Sequence, residues 1–429
     1  MLAINNTQQT YNHSVGANDN ERFESPVDDV TDDTLSREVY SILGTPIDVI
    51  DLPSVLRRIE AAASASSPFF LSTPNLNFLV QALADSDFRE SLLQSDLCPP
   101  DGMPIVWLGR LLGIPIRTRV AGADILTALK FVGKSEHNLK LFFFGGAYGI
   151  ASAAARAFNA SSSGSRCVGW LYPGFCSVEE LSKDTIIETI NSSGAEFLVV
   201  SLGAKKAQSW LVRNADKLRI PIRAHLGAWV NFEAGALKRA PVTMRNLGLE
   251  WLWRIKEEPT LWKRYWHDGL ILLQLLCLRV LPLVIYRITT QSKAKSPFSI
   301  DIMGLDEEEF RVKIWGAATR HNIKEIILRC SVAASARRQV VIDLSDTCAI
   351  DARFLGFLLM LRNSVGRHGA KVRLVGLSRS VQRQFRLNGV GFLLQSEASV
   401  TRVEQDRRGR ESGGTIPEKI VSEALGRLG

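Results

Sequence analysis

The sequence predicts an α/β protein, with a doubly wound parallel-sheet domain followed by a smaller α/β domain. Three observations carry that prediction. From about residue 38 short apolar runs alternate with longer amphipathic ones. Several apolar runs end in Gly-rich or Pro-containing turns just ahead of a helical pattern. A polar stretch, "TTQSKAKSP" at 289–297, divides the two series. Strands alternating with helices build sheets covered on both faces, which bind ligands at the carboxyl ends of their strands. At 429 residues the chain is too long for one ordinary core.

Residues 1–35 are polar and nearly free of aliphatic side chains, as in "NNTQQTYNHSVGANDNERFESPVDDVTDD". They cannot bury enough apolar surface to offset ordering, so a disordered tail is expected. No basic-then-apolar start resembles a secretory signal. In "PFFLSTPNLNFLV" (68–80) a strand-like run leads through a turn into a helix. "LKLFFFGGAYGIASAAARAFNA" (139–160) and "AEFLVVSLGAKKAQSWLVRNA" (195–215) repeat the design, and "IPIRAHLGAWVNFEAGAL" (220–237) is a fourth example. The turn at Gly145 and Gly146 has two explanations: backbone N–H groups near a phosphate, or close packing of strand on helix.

Residues 238–267 are crowded with Trp, Arg and Lys, and "GLILLQLLCLRVLPLVIY" (269–286) is apolar but interrupted by Arg279 and Pro282. A spanning helix needs about 20 apolar residues. Residues 268–288 are therefore expected to lie in a membrane interface, with a buried core helix as the alternative. After the 289–297 linker, strands are expected at "FSIDIMG", "FRVKIWG", "QVVIDLS" and "KVRLVGLS" and helices at 322–335, 353–366 and 380–388. These make a second domain over 298–400, ahead of a flexible tail at 401–429.

Composition narrows the function. Hydrophobic residues at 46% and charged ones at 22% are those of a globular protein. Six scattered cysteines without CxxC or Cys/His ligand spacing fit reduced thiols in the cytoplasm and argue against structural zinc. The net charge of +8 points to nucleotide phosphates, nucleic acid or an anionic membrane face. No HExxH, GxSxG or GxxxxGK[ST] is present. No recognised reader motif supports nucleic acid as a partner.

One stretch, "LCPPDGMPIVW" (97–107), holds a carboxylate, Asp101, on a stiff turn beside an apolar segment. Proline fixes φ, Asp bonds its own backbone and Gly takes positive φ, so turn chemistry alone accounts for it.

Taken in order, "TPN" (73–75), "PDGMPIVW" (100–107), "RVAGADI" (119–125), "FFFGG" (142–146), "VGWLYPGF" (168–175), "SLGAKK" (201–206), "RAP" (239–241), "GLEWLWRIKEEP" (248–259) and "KRYW" (263–266) resemble the WecG/TagA/CpsF family of bacterial glycosyltransferases. The resemblance covers about residues 40–267 and implies a Rossmann-like transferase domain over 36–267. It further implies a UDP-sugar donor, a polyprenyl-diphosphate-linked saccharide acceptor and inversion at the anomeric centre. By the same resemblance Asp101 is the general base. An acceptor hydroxyl is a poor nucleophile until its proton is taken, and inversion needs that base opposite the leaving UDP. A rigid turn fixes its distance from the anomeric carbon.

The resemblance also places Thr73, Asn75, Gly102, Arg119 and Asp124 near the substrates. A helix cap is the plain alternative for Thr73 and Asn75, and a surface ion pair for Arg119 and Asp124. No metal cofactor is expected; Arg239, Arg254 and Arg264 are candidates to offset the charge of leaving UDP, unless they form only a solvated basic face. Two departures stand out. Family members commonly read GxPKQE where this chain has "GAKKAQ" (203–208), leaving Lys205, Lys206 and Gln208 as candidate contacts, and they tend to carry Asp where this chain has Asn231.

The second domain, through "VVIDLSDTCAIDARFLGFLLMLRNSVGRHGAKVRLVGLS" (340–378), resembles the sulfate-transporter/anti-sigma-antagonist (STAS) domain. Switching members carry a phosphorylatable Ser just after the Asp that corresponds to Asp351. Ala352 and Arg353 stand there instead, which implies a docking or sensing module, with a protein partner, and no phospho-switch. The expected protein is an inverting glycosyltransferase of exopolysaccharide or another surface polymer, peripheral on the cytoplasmic face of the inner membrane and attracted to its anionic surface. The alternative is a catalytically weak UDP-sugar-binding protein that signals through its STAS-like domain.

Overall fold

The computed structural model describes residues 34–131, 138–290, 296–305, 309–335 and 339–394. The tail expected at 401–429 and all but the last two residues of the one expected at 1–35 lie outside these. Thr34 and Leu35 are already buried.

The chain opens with an antiparallel hairpin, β1 (Val39–Ile42) and β2 (Thr45–Asp48), joined by Leu43 and Gly44, both at positive φ. Two positive-φ residues make the turn whose twist matches a hairpin. Next come β3 (Phe69–Leu71), β4 (Lys140–Gly145), β5 (Arg166–Leu171), β6 (Phe197–Ser201) and β7 (Ile222–His225). They form one parallel sheet in the order β3-β7-β6-β4-β5. Every residue of β6, "FLVVS", is buried, as a strand covered on both faces requires. Alternate side chains of β4 serve two cores: Leu141 and Phe143 pack with Phe158 and Trp229, while Phe142 and Phe144 pack with Trp210 and Ile190. Helices on both faces thus bury the sheet and leave its carboxyl edge for chemistry.

The second domain contains β8 (Ser299–Leu305), β9 (Glu309–Ala318), β10 (Gln339–Asp343), β11 (Thr347–Ile350) and β12 (Val372–Val375). The path β11-β9-β10-β12 is parallel, and β8 pairs antiparallel with β9. The helix Ala352–Arg367 is buried from Arg353 through Leu361, on all sides rather than one. The reason is that it lies between its own sheet and the hairpin of the first domain. One core holds Leu35, Val39 and Leu93 together with Val312, Ile342, Phe357 and Leu358. Although a polar stretch divides them in sequence, the two domains share a core.

The apolar segment is one helix from Pro259 to Thr289, with a π turn at Leu276–Val280 just before Pro282. A proline has no N–H to return to the preceding turn, and the wider π turn accommodates it. At 31 residues the helix is long and apolar enough to cross a membrane, longer than the apolar run alone suggests. Leu275, Val280 and Leu283 are buried against Ile42, Ile47, Leu79, Ile105 and Leu108, with Leu272 and Leu276 packed alongside. Leu270, Leu273, Leu278, Leu281, Ile285 and Ile288 face outward, each more than half exposed. One face of the helix is therefore core, as the buried-helix alternative has it, and the other is an uncovered apolar stripe.

Candidate active site

A cavity of about 1080 Å³ opens at the carboxyl ends of β3, β6 and β7, with the helix Glu250–Glu257 and the start of the long helix among its walls. That exceeds what one drug-sized ligand fills. Asp101 lies on its wall. The Asp101 N–H donates to Pro74 O at 3.0 Å, and Pro100 O accepts from the Val120 N–H at 2.8 Å. Gly102 takes φ +87°, which starts the helix Met103–Leu111 directly after the turn. Among the described residues no protein donor is hydrogen-bonded to the Asp101 carboxylate. Burial pushes its pKa up to about 7 from 3.8; Arg119 opposes this, and the charges of Glu250 and Asp124 add to it. A carboxyl poised near neutrality suits proton abstraction at physiological pH.

Thr73 and Asn75 also line the cavity. Asn75 caps the helix Leu76–Ala84, its Oδ1 accepting the Phe78 N–H at 3.1 Å, so the plain capping role is real and only the amide nitrogen faces a free choice of partner. Arg119 is on the wall, with Nη1 donating to Glu250 at 2.6 Å and Nη2 to Asp124 at 3.3 Å. Asp124 also accepts from Arg239 at 2.5 Å and Arg245 at 3.4 Å. Asp124 and Arg239 are not on the wall; they tie the 239–245 segment down behind it. Arg254, over the Phe232 ring, and Arg264, over Tyr265, both reach the cavity.

Other candidates divide the same way. Gly146 lines the cavity, but its N–H donates to Ser201 O at 2.6 Å, and a Cβ on Gly145 would stand 2.7 Å from that same oxygen. Close packing, not a phosphate cradle, explains these glycines. Lys206 and Asn231 are on the wall, Lys206 with Nζ bonded to Cys176 O at 2.8 Å. Gln208 is fully buried away from the cavity and donates to Ser72 Oγ at 2.9 Å. Lys205 pairs with Asp85 at 2.6 Å.

Three wall residues escape sequence reasoning. Glu250 sits within a matched motif, yet a glutamate on a basic helix reads as a solvated charge. His225 ends β7, with Nδ1 3.2 Å from Val200 O and its ring stacked on Phe78; burial lowers its pKa. Asp268, buried, accepts from Asn77 at 3.2 Å. Only tertiary folding brings these residues to the cavity of Asp101.

Residues 40–283 match the family model described as "Glycosyl transferase WecG/TagA/CpsF family". The chain belongs to this family. It is a glycosyltransferase. Residues 303–395 match the model described as "Mlab, STAS domain". The N-acetylglucosaminyldiphosphoundecaprenol N-acetyl-β-D-mannosaminyltransferase of Bacillus spizizenii is 24% identical over 196 residues, 46% of this chain and 74% of that protein. The Staphylococcus aureus protein of the same name is 22% identical over 230 residues, 52% and 85% of the two chains. Among solved structures, the unphosphorylated anti-sigma factor antagonist SpoIIAA aligns with 25% of this chain and 97% of its own, at 15% identity and a TM-score of 0.21. The WecG/TagA/CpsF match spans all the wall residues named above and runs on through most of the apolar helix.

Proposed function

We propose that this WecG/TagA/CpsF transferase moves a sugar from a UDP-sugar to a polyprenyl-diphosphate-linked saccharide, with inversion, in the assembly of exopolysaccharide or another surface polymer. The observation that carries it is the placement of Asp101, whose carboxylate has no protein donor among the described residues, on the wall of a cavity that continues to an apolar helix. The printed names of the Bacillus and Staphylococcus relatives, which act on a diphosphoundecaprenol-linked acceptor, support the choice of acceptor.

In this scheme Asp101 takes the proton of the acceptor hydroxyl as the new C–O bond forms. The bond from the anomeric carbon to phosphate breaks, and UDP leaves with the electron pair. Arg254 and Arg264 offset the charge that develops on the diphosphate. Arg119 holds its place through Glu250 and Asp124. The outward stripe of the long helix, flanked by exposed Trp251, Trp262 and Trp266, would rest in the headgroup region of the cytoplasmic leaflet. Because the inward face of that helix is part of the protein core, lying flat keeps both faces satisfied, whereas spanning would strip the first. Of the "GAKKAQ" stretch, Lys206 stays on the cavity wall while Lys205 and Gln208 turn away from it.

Mass spectrometry of lipid-linked intermediates after deletion of the gene tests the assignment. A polyprenyl-diphosphate saccharide one sugar short of the finished unit should accumulate. An unchanged profile, with surface polymer intact, would refute it.

A further inference from the structure

A buried run of hydrogen bonds leads from the second domain to the Asp101 turn. Arg353, in the first turn of the helix Ala352–Arg367, is buried and donates to Val39 O and to Arg37 O, each at 3.0 Å. Arg37 is buried too. Its Nη1 donates to Ser95 O at 2.8 Å, and its Nε and Nη2 grip the two Asp48 oxygens at 3.2 and 2.7 Å. Asp48 then holds Cys98 from both sides: Oδ2 accepts the Cys98 N–H at 2.6 Å, and the Asp48 N–H donates to Cys98 O at 2.9 Å. Only Pro99 and Pro100 separate Cys98 from Asp101, and prolines transmit position because φ is fixed.

The same helix reaches the segment a second way. Arg367 donates to Asp96 Oδ1 at 3.1 Å, while Asp96 Oδ2 accepts the Phe70 N–H of β3 at 2.8 Å. The helix and hairpin lie at glycine distance, since a Cβ on Gly356 would stand 2.2 Å from Val39 O. Neither can slide without the other.

We propose that the C-terminal domain positions the catalytic turn, with Arg353 as a positioning residue that acts on Asp101 through Arg37 and Asp48. This inference rests on Asp101 being the base. A buried guanidinium held mainly by carbonyl oxygens is a costly arrangement, and fixing a base to a fraction of an ångström is work that such an arrangement can do.

The test uses the full chain with Arg353→Ala. Hydrogen exchange at the Cys98 and Asp101 amides should quicken at least about tenfold, with the amides of β4 and β6 as in the wild type, because only the local opening changes. In turnover, kcat should fall about 10- to 100-fold, the cost of a small misplacement, with KM for the donor within about twofold. Combined with Asp101→Asn, it should cost nothing further, since two residues acting through one group do not add. Multiplying losses in the double variant, or unchanged exchange at Cys98 and Asp101, would overturn the proposal. Should Arg353→Ala not fold, Arg353→Lys, which keeps the charge and one donor direction, takes the same readings. A wild-type protein without turnover would refute the transferase scheme, and hydrogen exchange would still decide the coupling.

Discussion

Arg119 and Glu250 meet at 2.6 Å and join the segment after the Asp101 turn to the helix Glu250–Glu257, both of which face the cavity. The pair is one side of an ionic cluster whose other side is Asp124, with Arg239 and Arg245. Glu250 also raises the Asp101 pKa. Removing its charge by Glu250→Gln should lower that pKa and move the acid limb of kcat below the wild-type midpoint. Arg119 keeps its ion pair with Asp124, so the variant should still fold. A pH–rate profile of the variant checks both the direction and the source of the shift.

Asp101 itself sets two pH dependences. As the proposed base it works only when ionised, so kcat should rise with pH through about 7. Stability should run the other way. The folded-state pKa lies above the unfolded 3.8, so the cost of the buried charge is absent below pH 3.8 and fully developed above about 7. Asp101→Asn should therefore raise Tm at pH 8 and lose most of that gain by pH 4. Calorimetric scans at the two pH values measure it, and equal Tm differences at both would count against the assigned burial.

The two faces of the long helix should respond differently to charge. Leu273→Asp with Leu278→Asp, both on the exposed stripe, should abolish binding to anionic vesicles and leave Tm nearly unchanged. Leu275→Asp, in the core, should instead destabilise by several kcal/mol, as an unpaired buried carboxylate does. Lys256 and Lys263 would each add about 1 kcal/mol of attraction to anionic lipid, so salt should weaken sedimentation with vesicles.

Cutting the chain at 288 should not leave a well-behaved transferase. It would uncover Leu35, Val39 and Leu93, which share a core with the second domain, and strip Arg353 from the backbone oxygens of Val39 and Arg37. The 1–288 fragment should aggregate or melt well below the full chain, as followed by circular dichroism. A fragment as stable as the intact protein would show that the domains only touch.

Much of this was legible in the residues because each local signal had a local cause. The runs at 140–145, 197–201 and 222–225 read as strands because parallel strands buried on both faces need unbroken apolar side chains. Asp101 read as special because Pro-Pro-Asp-Gly is stiff. The hairpin β1–β2 escaped notice, since Leu43-Gly44 lacks the Asn-Gly signal that its turn type favours. So did β5, "RCVGWL", which ends the sheet with Arg166, Val168 and Trp170 exposed and only Cys167 buried. Gln208 and Asp124 were assigned to substrate from motif position, whereas their partners Ser72 and Arg239 lie 136 and 115 residues away in sequence. The shared core was hidden for the same reason: an apolar helix such as "FLGFLLMLR" shows that it is buried, not what buries it.

The central claim is that Asp101 is the base of a sugar transfer to a lipid-linked acceptor. Release of UDP by the full-length protein, in detergent, from a panel of UDP-sugars with a polyprenyl-diphosphate-linked N-acetylglucosamine acceptor measures it most directly. Wild type at pH 8 should turn over with at least one donor. Asp101→Asn should bind UDP as tightly and react about 10² to 10⁴ times more slowly, the usual worth of a general base. Asp101→Asn turnover within a few-fold of wild type would contradict the account and leave Asp101 a turn residue.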